Sequence, residues 1–383
     1  MVLLALALVQ TGPKLPAPGK SVIRVPKLVK APRDFLKAPK GYTVDLFAEG
    51  LRHPRKMAVA PNGDVFGVQT RLEIAEKNQP NEVVVLHTPG VDGRPTKKSL
   101  WAKGLEFPFG IQFGFGCLYV ANTGSVVRWI YHDGQHTSGF PQTVITGIPQ
   151  KGYRNHWTRD ILVDQPGKRL YLTIGSEENL AVEGPRRAVI ESYSLSDSGN
   201  VTSGPTTLAS GLRNPIGLAL RPGSKELWAT VAERDYKGDD LVPDFVTSIK
   251  PGGFYGWPYC YIGQHHDQSM PHKPELEKKA IVPDILLPAH STPIDIAFGP
   301  DCAFVTLHGS QNRSRLNGYK VVRLPYGTDG RPNGKVEDFL TGWLPKGSNR
   351  EIYGRPAGMA WRGSSLLVVD DWGGRIFRVR KAN

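Results

Sequence analysis

The sequence predicts an all-β protein, a six-bladed β-propeller with an N-terminal extension. The main observation is a repeated link of the type Gly-Leu-x-x-Pro, which has its fullest form in GLRNP at 211–215 and precedes an apolar, β-rich segment each time. About six such links recur at a spacing of roughly 50–75 residues, which is typical of propellers and arrays. Helical periodicity is nearly absent, and 43 glycines and 32 prolines would interrupt most long helices.

The repeats share one internal order. Their links lie, in chain order, at 50–54, 104–108, 147–157, 211–215, 291–293 and 354–356. Each link leads into a first strand, a turn rich in Gly, Pro and Asp, and a second strand that is more uniformly apolar. The second strands read VFGV, LYVA, LYLT, LWAT, AFVT and LLVV. Such runs suit strands buried on both faces, and such turns suit hairpins. Four-stranded blades arranged around an axis satisfy this order, whereas the competing β-sandwich does not usually repeat one signature in this way.

Residues 1–40 differ from the repeats, and we assign the propeller domain to residues 41–383. The segment after residue 10 is rich in Pro and Lys, and we expect it to lie over the blades as a tail or clasp. Residues 2–9 are apolar but too few to span a bilayer, so we expect no stable membrane insertion. They resemble the apolar core of a secretory signal, which predicts a periplasmic or secreted protein.

Charge and cysteine content narrow the function classes. The formal net charge is +13, but the Lys and Arg residues are scattered through turns and the N-terminal segment. Without a dense basic cluster interleaved with stacking aromatics, we expect no binding to nucleic acid. A basic surface can instead steer an acidic protein partner or an anionic cofactor. The three cysteines include no Cys-x-x-Cys-His motif, so nothing indicates covalently attached haem.

In a propeller, the link into a first strand and the loop that leaves a second strand open on the same face. We therefore expect their polar residues to share one axial funnel, because loops on a rigid scaffold usually carry the binding groups. His156 stands in the third link, and a histidine there can accept a proton near neutral pH, as a general base must. A structural histidine bonded to a neighbouring loop is the alternative.

Three arginines fall on separate segments of the same predicted face: Arg213, Arg355 and Arg313. Guanidinium groups that point inward bind carboxylates, phosphates or carbonyl oxygens. The pattern therefore favours a polyanionic ligand with several acceptors. Ion pairing with glutamates of the same face is the alternative.

A carboxylate-rich segment, ERDYKGDD at Glu233–Asp240, directly follows the fourth second strand. Closely spaced carboxylates and the backbone carbonyls of an irregular loop can supply the hard oxygen ligands that calcium prefers. The spacing is not that of an EF-hand. The segment therefore predicts either a calcium site or an ordinary solvated loop.

Several segments together resemble the pyrroloquinoline-quinone-dependent sugar dehydrogenases of the soluble glucose and aldose dehydrogenase type. Within that family the sequence is similar to the L-sorbosone dehydrogenase-like proteins. The segments are GLRNPIGLAL, ELWATVAERDYKGDDLVPDF, GGFYGWPYCYIGQH, HGSQNRSRLNGYKVV and YGRPAGMA. The resemblance extends from about Gly41 to the C-terminus and implies pyrroloquinoline quinone (PQQ) and Ca²⁺ as cofactors.

The resemblance also implies residue roles. His156 corresponds to the catalytic base, and Arg213 to the arginine that polarises the quinone carbonyl. The residues expected to bind the cofactor are Asn214, Arg355, Arg313, Arg159 and Asn312. The resemblance places the metal at the backbone of Asp235 and Tyr236. The carboxylate-rich segment adds Glu233, Asp239 and Asp240 as candidate metal ligands.

The predicted function is oxidation of a sugar, a sorbosone-like sugar aldehyde or a related alcohol. Electrons would pass to an external acceptor, such as a cytochrome or a quinone, because the sequence contains no second redox centre. One alternative is a calcium-dependent propeller lactonase, a class that needs carboxylates and an asparagine converging on an axial metal. The other is a non-catalytic propeller binding protein, because a fold alone does not decide function.

Overall fold

The computed structural model describes residues 12–70, 80–88, 93–150 and 156–382. The apolar segment at 2–9, on which the export prediction depends, lies outside these ranges. No helix in the described ranges is long and apolar enough to cross a membrane.

The strands are numbered in chain order, and six sheets follow one another along the chain. Two strands precede the first blade: β1 (Lys27–Leu28) and β2 (Tyr42–Ala48). The first blade comprises β3 (Pro54–Val59), β4 (Val65–Gln69), β5 (Glu82–His87) and β6 (Lys97–Ala102). The second comprises β7 (Ile111–Gly114), β8 (Cys117–Ala121), β9 (Val126–Ile130) and β10 (Gln142–Ile145). The third comprises β11 (Ile161–Asp164), β12 (Arg169–Ile174), β13 (Val189–Leu195) and β14 (Val201–Ser210).

The remaining blades continue this pattern. The fourth starts with β15 (Asn214–Leu220), β16 (Leu227–Ala232) and β17 (Phe245–Ser248). A long connection follows, with β18 (Gly253–Phe254), β19 (Cys260–Tyr261), β20 (His265–His266), α1 (Pro274–Glu277) and β21 (Ile285–Leu286). The fifth blade comprises β22 (Pro293–Phe298), β23 (Cys302–Leu307), β24 (Lys320–Pro325) and β25 (Glu337–Leu340). After β26 (Glu351–Ile352), the sixth is formed by β27 (Pro356–Arg362), β28 (Ser365–Asp370) and β29 (Arg375–Lys381).

The blades form a closed ring. Each first strand contacts the first strand of the next blade, in the order β3, β7, β11, β15, β22, β27 and back to β3. β21 completes the fourth blade, β18 adds a parallel strand to the third, and β2 supplies the outer strand of the sixth. β2 and β29 pair antiparallel from Tyr42–Lys381 to Ala48–Ile376, so strands from both ends of the propeller share one sheet. The predicted six-bladed β-propeller is confirmed.

Five of the six second strands are buried along their whole length, as their uniform apolar sequences predict, whereas β12 is exposed at Arg169 and partly exposed at Tyr171. All residues of β4, β8, β16, β23 and β28 are buried. Aromatic side chains fill the space between blades: the ring of Phe66 on β4 meets Trp101, Phe113 and Tyr131 edge-on, at centroid distances of 5.0–5.5 Å. Such contacts add to burial and fix the spacing of the blades.

A buried ion network ties the first strands together at the axis. Lys56 Nζ donates to Asp160 Oδ2 (2.7 Å) and Asp295 Oδ1 (2.8 Å). The same two carboxylates accept the backbone N–H groups of Leu218 (3.0 Å) and Met359 (2.7 Å). Five of the six blades are therefore joined. Below this network, a cavity of about 810 Å³ runs along the later residues of the first strands towards the face opposite the predicted funnel.

Residues 12–40 form an extension that crosses the loops of three blades. The N–H of Gly19 donates to the carbonyl of Lys237 (2.9 Å), and that of Arg24 to the carbonyl of Gln311 (2.7 Å). β1 then pairs in parallel with β26, ahead of the sixth blade. Since two of these loops follow second strands, the extension runs over the face that carries the predicted site.

Candidate active site

The polar residues that follow second strands or precede first strands meet on one face of the propeller. Ser176, after β12, donates its N–H to the carbonyl of Arg213 (2.7 Å), which precedes β15. Arg213 Nη1 donates to the carbonyl of Glu233 (2.6 Å), directly after β16. The N–H of Tyr236 donates to Oδ1 of Asn312 (3.0 Å), after β23. Contacts between neighbouring loops thus link the third, fourth and fifth blades.

His156 lies just ahead of β11 and is 4% exposed. Its Nδ1 lies 3.1 Å from the carbonyl oxygen of Ser176 and 2.8 Å from Ser176 Oγ. Burial, and after it the positive charge of Arg213, hold the pKa of the imidazole well below its usual value. The ring is therefore neutral at pH 7, the state that a general base requires.

Asn214 approaches His156 because Gly175 leaves room between them. A Cβ on Gly175 would lie 2.3 Å from Oδ1 of Asn214 and 3.0 Å from Cβ of His156. Any larger residue would displace one of these side chains. Asn214 is 3% exposed, and its Oδ1 has no hydrogen-bond partner among the described residues.

Arg213 uses most of its donors on the protein itself. Nε donates to the carbonyl of Asn179 (3.1 Å), and Nη2 to Asn179 Oδ1 (2.8 Å). Nη1 donates to the carbonyls of Ala232 (3.1 Å) and Glu233 (2.6 Å). A guanidinium carries five N–H groups, so within the described chain one N–H on Nη2 remains for a ligand. Nη2 also lies 4.0 Å from Oδ2 of Asp235, and this carboxylate partly neutralises the positive charge of Arg213.

Arg355 has more N–H groups available to a ligand than Arg213. Nε donates to the carbonyl of His308 (3.0 Å) and Nη2 to that of Gly309 (2.8 Å). The guanidinium also lies over the rings of Tyr319 (5.6 Å) and Trp372 (5.1 Å). Its direction is therefore fixed, and within the described residues three N–H groups are left without a protein acceptor.

Arg159 is buried beside the link that carries His156. It is 1% exposed, and Nη1 donates to the carbonyls of His156 (2.9 Å) and Thr158 (2.8 Å). Nη2 donates to the carbonyl of Pro149 (2.7 Å). Burial, and after it the charge of Arg187, lower the pKa of Arg159 to about 9. Arg159 thus braces the link that carries His156, and its buried Nε has no hydrogen-bond partner among the described residues.

Asp239 and Asp240, two of the predicted metal ligands, contact residues of the fifth blade. Asp240 Oδ1 accepts from Nη2 of Arg313 (2.8 Å), and the carbonyl of Asp239 accepts from Nη1 of the same arginine. Asp239 Oδ1 accepts the N–H of Ser314 (2.8 Å). The acidic loop of the fourth blade and the loop of the fifth blade that carries Arg313 therefore form hydrogen bonds and an ion pair with each other. Within the described residues, no group of three potential metal ligands includes a side chain of Glu233–Asp240.

The other oxygens of this segment have separate environments. Asp235 Oδ1 lies 3.0 Å from Nδ1 of His290. Burial alone would lower the pKa of His290, but the hydrogen bond with Asp235 raises it. Glu233 is 4% exposed, and burial raises its pKa to about 7 against the opposing charge of Arg213. Tyr236 has a left-handed backbone (φ 68°) and an exposed side chain.

Besides His290, a further buried histidine on this face, His308, is absent from the residues predicted from the sequence. His308 Nε2 lies 2.8 Å from Oδ2 of Asp371, which also accepts from Arg55 Nη1 (2.5 Å). Burial, and after it the charge of Arg355, lower the pKa of His308 to about 4. His308 directly follows β23 and Asp371 directly follows β28. Like Glu233, His308 and Asp371 come immediately after a second strand, so the same sequence pattern predicts both as site residues.

Buried polar atoms without a hydrogen-bond partner recur on this face. Among the described residues they include atoms from the second, fourth, fifth and sixth blades. They are Asn122 Oδ1, Asn214 Oδ1, Glu233 Oε1, Asn312 Nδ2 and Asp371 Oδ1. A buried polar group left unsatisfied costs about 1–3 kcal/mol. The four oxygens therefore fit hydrogen-bond donors of a polar ligand or a bound cation, and Asn312 Nδ2 fits an acceptor of the ligand.

The fold and the site define a six-bladed propeller whose polar face combines a neutral histidine, two inward arginines and unsatisfied oxygens. The chain belongs to the TrAA12-like family, whose family model matches residues 36–382.

Sequence and structure comparisons give related proteins. The chain is 24% identical over 420 residues to the PQQ-dependent pyranose dehydrogenase of Coprinopsis cinerea, covering 91% of this chain and 55% of that protein. It is similar in structure to a Trichoderma reesei member of carbohydrate-active enzyme family AA12 (TM-score 0.76, 19% identity, 93% of this chain and 100% of the other). It is also similar to the holo form of the PQQ domain of the Coprinopsis cinerea enzyme (TM-score 0.74, 21% identity, 94% of this chain and 100% of the other).

The structural likenesses support the propeller fold. The family match confirms the resemblance to PQQ-dependent sugar dehydrogenases drawn from the sequence motifs, and with it the assignment of the chain to a family of oxidoreductases. The chain spans about half the length of the Coprinopsis cinerea enzyme.

Proposed function

We propose that the chain is a PQQ-dependent dehydrogenase that oxidises a sugar, a sorbosone-like sugar aldehyde or a related alcohol. Calcium is the proposed metal, and an external cytochrome or quinone is the proposed electron acceptor. The observation that carries the proposal is the arrangement of neutral His156 beside Asn214 and Arg213, in a chain of the TrAA12-like family. The PQQ dependence of the Coprinopsis cinerea relative supports the choice of cofactor.

His156 is the proposed general base. When its Nδ1–H donates to the carbonyl of Ser176, the lone pair lies on Nε2, which then accepts the proton of the substrate hydroxyl. Arg159 holds the carbonyl of His156, so the ring is positioned from two sides. Burial excludes water from the base and keeps it uncharged until the substrate arrives.

The cofactor would be held by residues with unused hydrogen-bonding capacity. PQQ, when bound, supplies a two-electron acceptor with carbonyl and carboxylate oxygens. The remaining N–H of Arg213 and the three of Arg355 suit such oxygens. Asn214 Oδ1 and Asn312 Nδ2 are buried and unsatisfied among the described residues, so each can contact a polar group of the ligand. These four side chains are the proposed binding set.

Calcium would be held by oxygens of the segment after β16. The backbone carbonyls of Asp235 and Tyr236 and the unsatisfied Oε1 of Glu233 are the proposed ligands. A cation there would stabilise negative charge on a neighbouring ligand oxygen.

The test is reconstitution of chelator-treated protein with PQQ and Ca²⁺, followed by dye-linked oxidation of aldoses, sorbosone and simple alcohols. We expect activity that requires both additions and is abolished in His156→Ala, while the PQQ absorbance of the bound cofactor persists. His272→Ala, at an exposed histidine of the connection that follows β17, is the matched control and should remain active.

Other results would replace the proposal. Lactone hydrolysis that needs calcium but no quinone would establish the lactonase alternative. Tight PQQ binding without turnover of any donor would indicate a binding protein.

We further propose that residues 41–383 form the catalytic domain and that the protein is exported to the periplasm or secreted. The apolar segment at 2–9 supports export. N-terminal sequencing of protein purified from the native host tests this, because a retained Met1 in a cytoplasmic fraction would exclude it.

A further inference from the structure

Three potential metal ligands from two blades meet on the face opposite His156. Asp64 lies in the hairpin between β3 and β4, and His87 is the last residue of β5. His136 belongs to the connection between β9 and β10. One ligand atom from each side chain lies within 4.8 Å of the other two. None of these residues takes part in the proposed dehydrogenase site.

The carboxylate of this group is fixed in the fold. Asp64 is 4% exposed, and its Oδ1 accepts the N–H of Thr88 (2.8 Å). Its Oδ2 accepts from Nδ2 of Asn62 (3.0 Å). An ionised carboxylate has about four lone-pair positions, so Oδ2 keeps a lone pair for another partner.

The decisive observation concerns Nδ1 of His87. His87 is 9% exposed, and this buried nitrogen has no hydrogen-bond partner among the described residues. It lies 3.6 Å from Oδ2 of Asp64, which is too long for a hydrogen bond. Two ligands of one tetrahedral zinc ion, each about 2.0–2.2 Å from the metal, lie roughly 3.3–3.6 Å apart. The observed separation therefore fits two ligands of a shared ion.

The second ring nitrogen of His87 has the partner that a metal ligand needs. Nε2 lies 2.8 Å from Oγ of Ser99. When Nε2–H donates to this hydroxyl, the lone pair of Nδ1 points towards Asp64, and the ring orientation is held from behind.

His136 is brought to the group by contacts on both sides of it. Asp133 Oδ1 accepts the N–H of Asn62 (3.1 Å), and the N–H of Ser138 donates to the carbonyl of Trp101 (3.3 Å). The His136 and His87 rings lie 4.2 Å apart between centroids. His136 itself is exposed, so its ring can turn to complete the ligand set, and solvent can occupy the positions that remain.

We propose that Asp64, His87 and His136 form a site for a divalent transition metal of the zinc class. Two imidazoles and one carboxylate suit zinc and its neighbours better than calcium or magnesium, which prefer all-oxygen ligands. The site joins the first and second blades on the face opposite His156. It is independent of the proposed PQQ and calcium site.

The experiment is calorimetric titration of chelator-treated full-length protein with ZnCl₂ in excess CaCl₂, so that calcium sites are filled. The key variant is His136→Ala, because an exposed side chain can be removed without disturbing the core. We expect the wild type to bind one more zinc equivalent than His136→Ala, or to bind that equivalent at least tenfold more tightly. Substitution with Co²⁺ should give visible absorption that His136→Ala loses.

The matched control is His272→Ala. His266, His272 and Glu277 form the other group of three potential ligands in the described residues, and their histidines already lie within hydrogen-bond distance of the Glu277 carboxylate. The zinc equivalent assigned to His136 should persist in this control. Absence of zinc binding, or zinc binding that His136→Ala leaves unchanged, would overturn the proposal.

Discussion

Replacing Lys56 by methionine removes the positive charge at the centre of the propeller. Its ammonium donates to Asp160 (2.7 Å) and Asp295 (2.8 Å), and all three residues are buried. Methionine nearly preserves the side-chain length but leaves two buried carboxylates without their cation. Removing one partner of a buried ion pair costs about 3–5 kcal/mol.

The expected change in thermal stability follows from the size of the domain. For about 340 residues, an unfolding entropy of about 2.1 cal/mol/K per residue gives about 0.7 kcal/mol/K. A loss of about 3–5 kcal/mol then lowers the unfolding midpoint by about 4–7 °C. The measurement is differential scanning calorimetry of wild type and Lys56→Met at about pH 8.

The loss should also depend on pH. In the wild type, burial raises the pKa of Asp160 to about 6 against the opposing charge of Lys56. A carboxyl group whose pKa is higher in the folded state favours folding when protonated, and this contribution is lost as the pH rises through its folded pKa. Without Lys56, the pKa of Asp160 rises further. The deficit of Lys56→Met is therefore expected to be smaller at about pH 5 than at about pH 8.

Two further variants separate charge from packing. Lys320→Met removes a surface ion pair with Asp338 (2.5 Å) and should change the midpoint little, because exposed pairs contribute little. The triple variant Lys56→Met, Asp160→Asn, Asp295→Asn should be more stable than Lys56→Met alone. If Lys56→Met matches the wild type at about pH 8, or if the triple variant recovers nothing, the unpaired-charge explanation is refuted.

Two other substitutions test the face that carries the proposed site. Ser176→Ala removes the Oγ that lies 2.8 Å from His156 Nδ1. Loss of a hydrogen bond worth about 1 kcal/mol predicts a roughly fivefold lower kcat at unchanged KM and a displaced pH–rate profile. An unchanged kcat and pH–rate profile would exclude a positioning role for Oγ. Gly238→Ala places a Cβ 2.8 Å from Cα of Gly19, so limited proteolysis should cut the extension faster than in wild type. Gly223→Ala, also at positive φ but with open space around it, is the control, and equal cleavage in the two variants would contradict the contact.

The parts of the site that the sequence predicted are those whose chemistry is local in the chain. His156 follows from its place in a repeated link, and the carboxylate-rich segment after β16 follows from the strand pattern. Gly175 illustrates the limit, because its sequence context is an ordinary strand end. Only the packing of Asn214 and His156 against it explains why no side chain fits there.

Arginine roles were less predictable for the same reason. Arg213, Arg355 and Arg313 were equivalent in the sequence as cations on one face. Their carbonyl and carboxylate partners separate them, within the described chain, into a largely satisfied cation, a cation with three N–H groups left for a ligand, and an ion pair between blades. The acceptors of Arg313 lie more than 70 residues away in the chain.

The sequence by itself determined the repeat, the buried second strands, the family and the face on which polar loops converge. These follow from short-range patterns of burial and turn chemistry, which each repeat carries separately. Only the tertiary structure decided which donors are still available to a ligand, how Lys56 closes the axis, and that Asp64, His87 and His136 meet on the other face. Hydrogen bonding and metal binding depend on distances of a few ångströms between residues that are far apart in the chain, and those distances are set when the ring of blades closes.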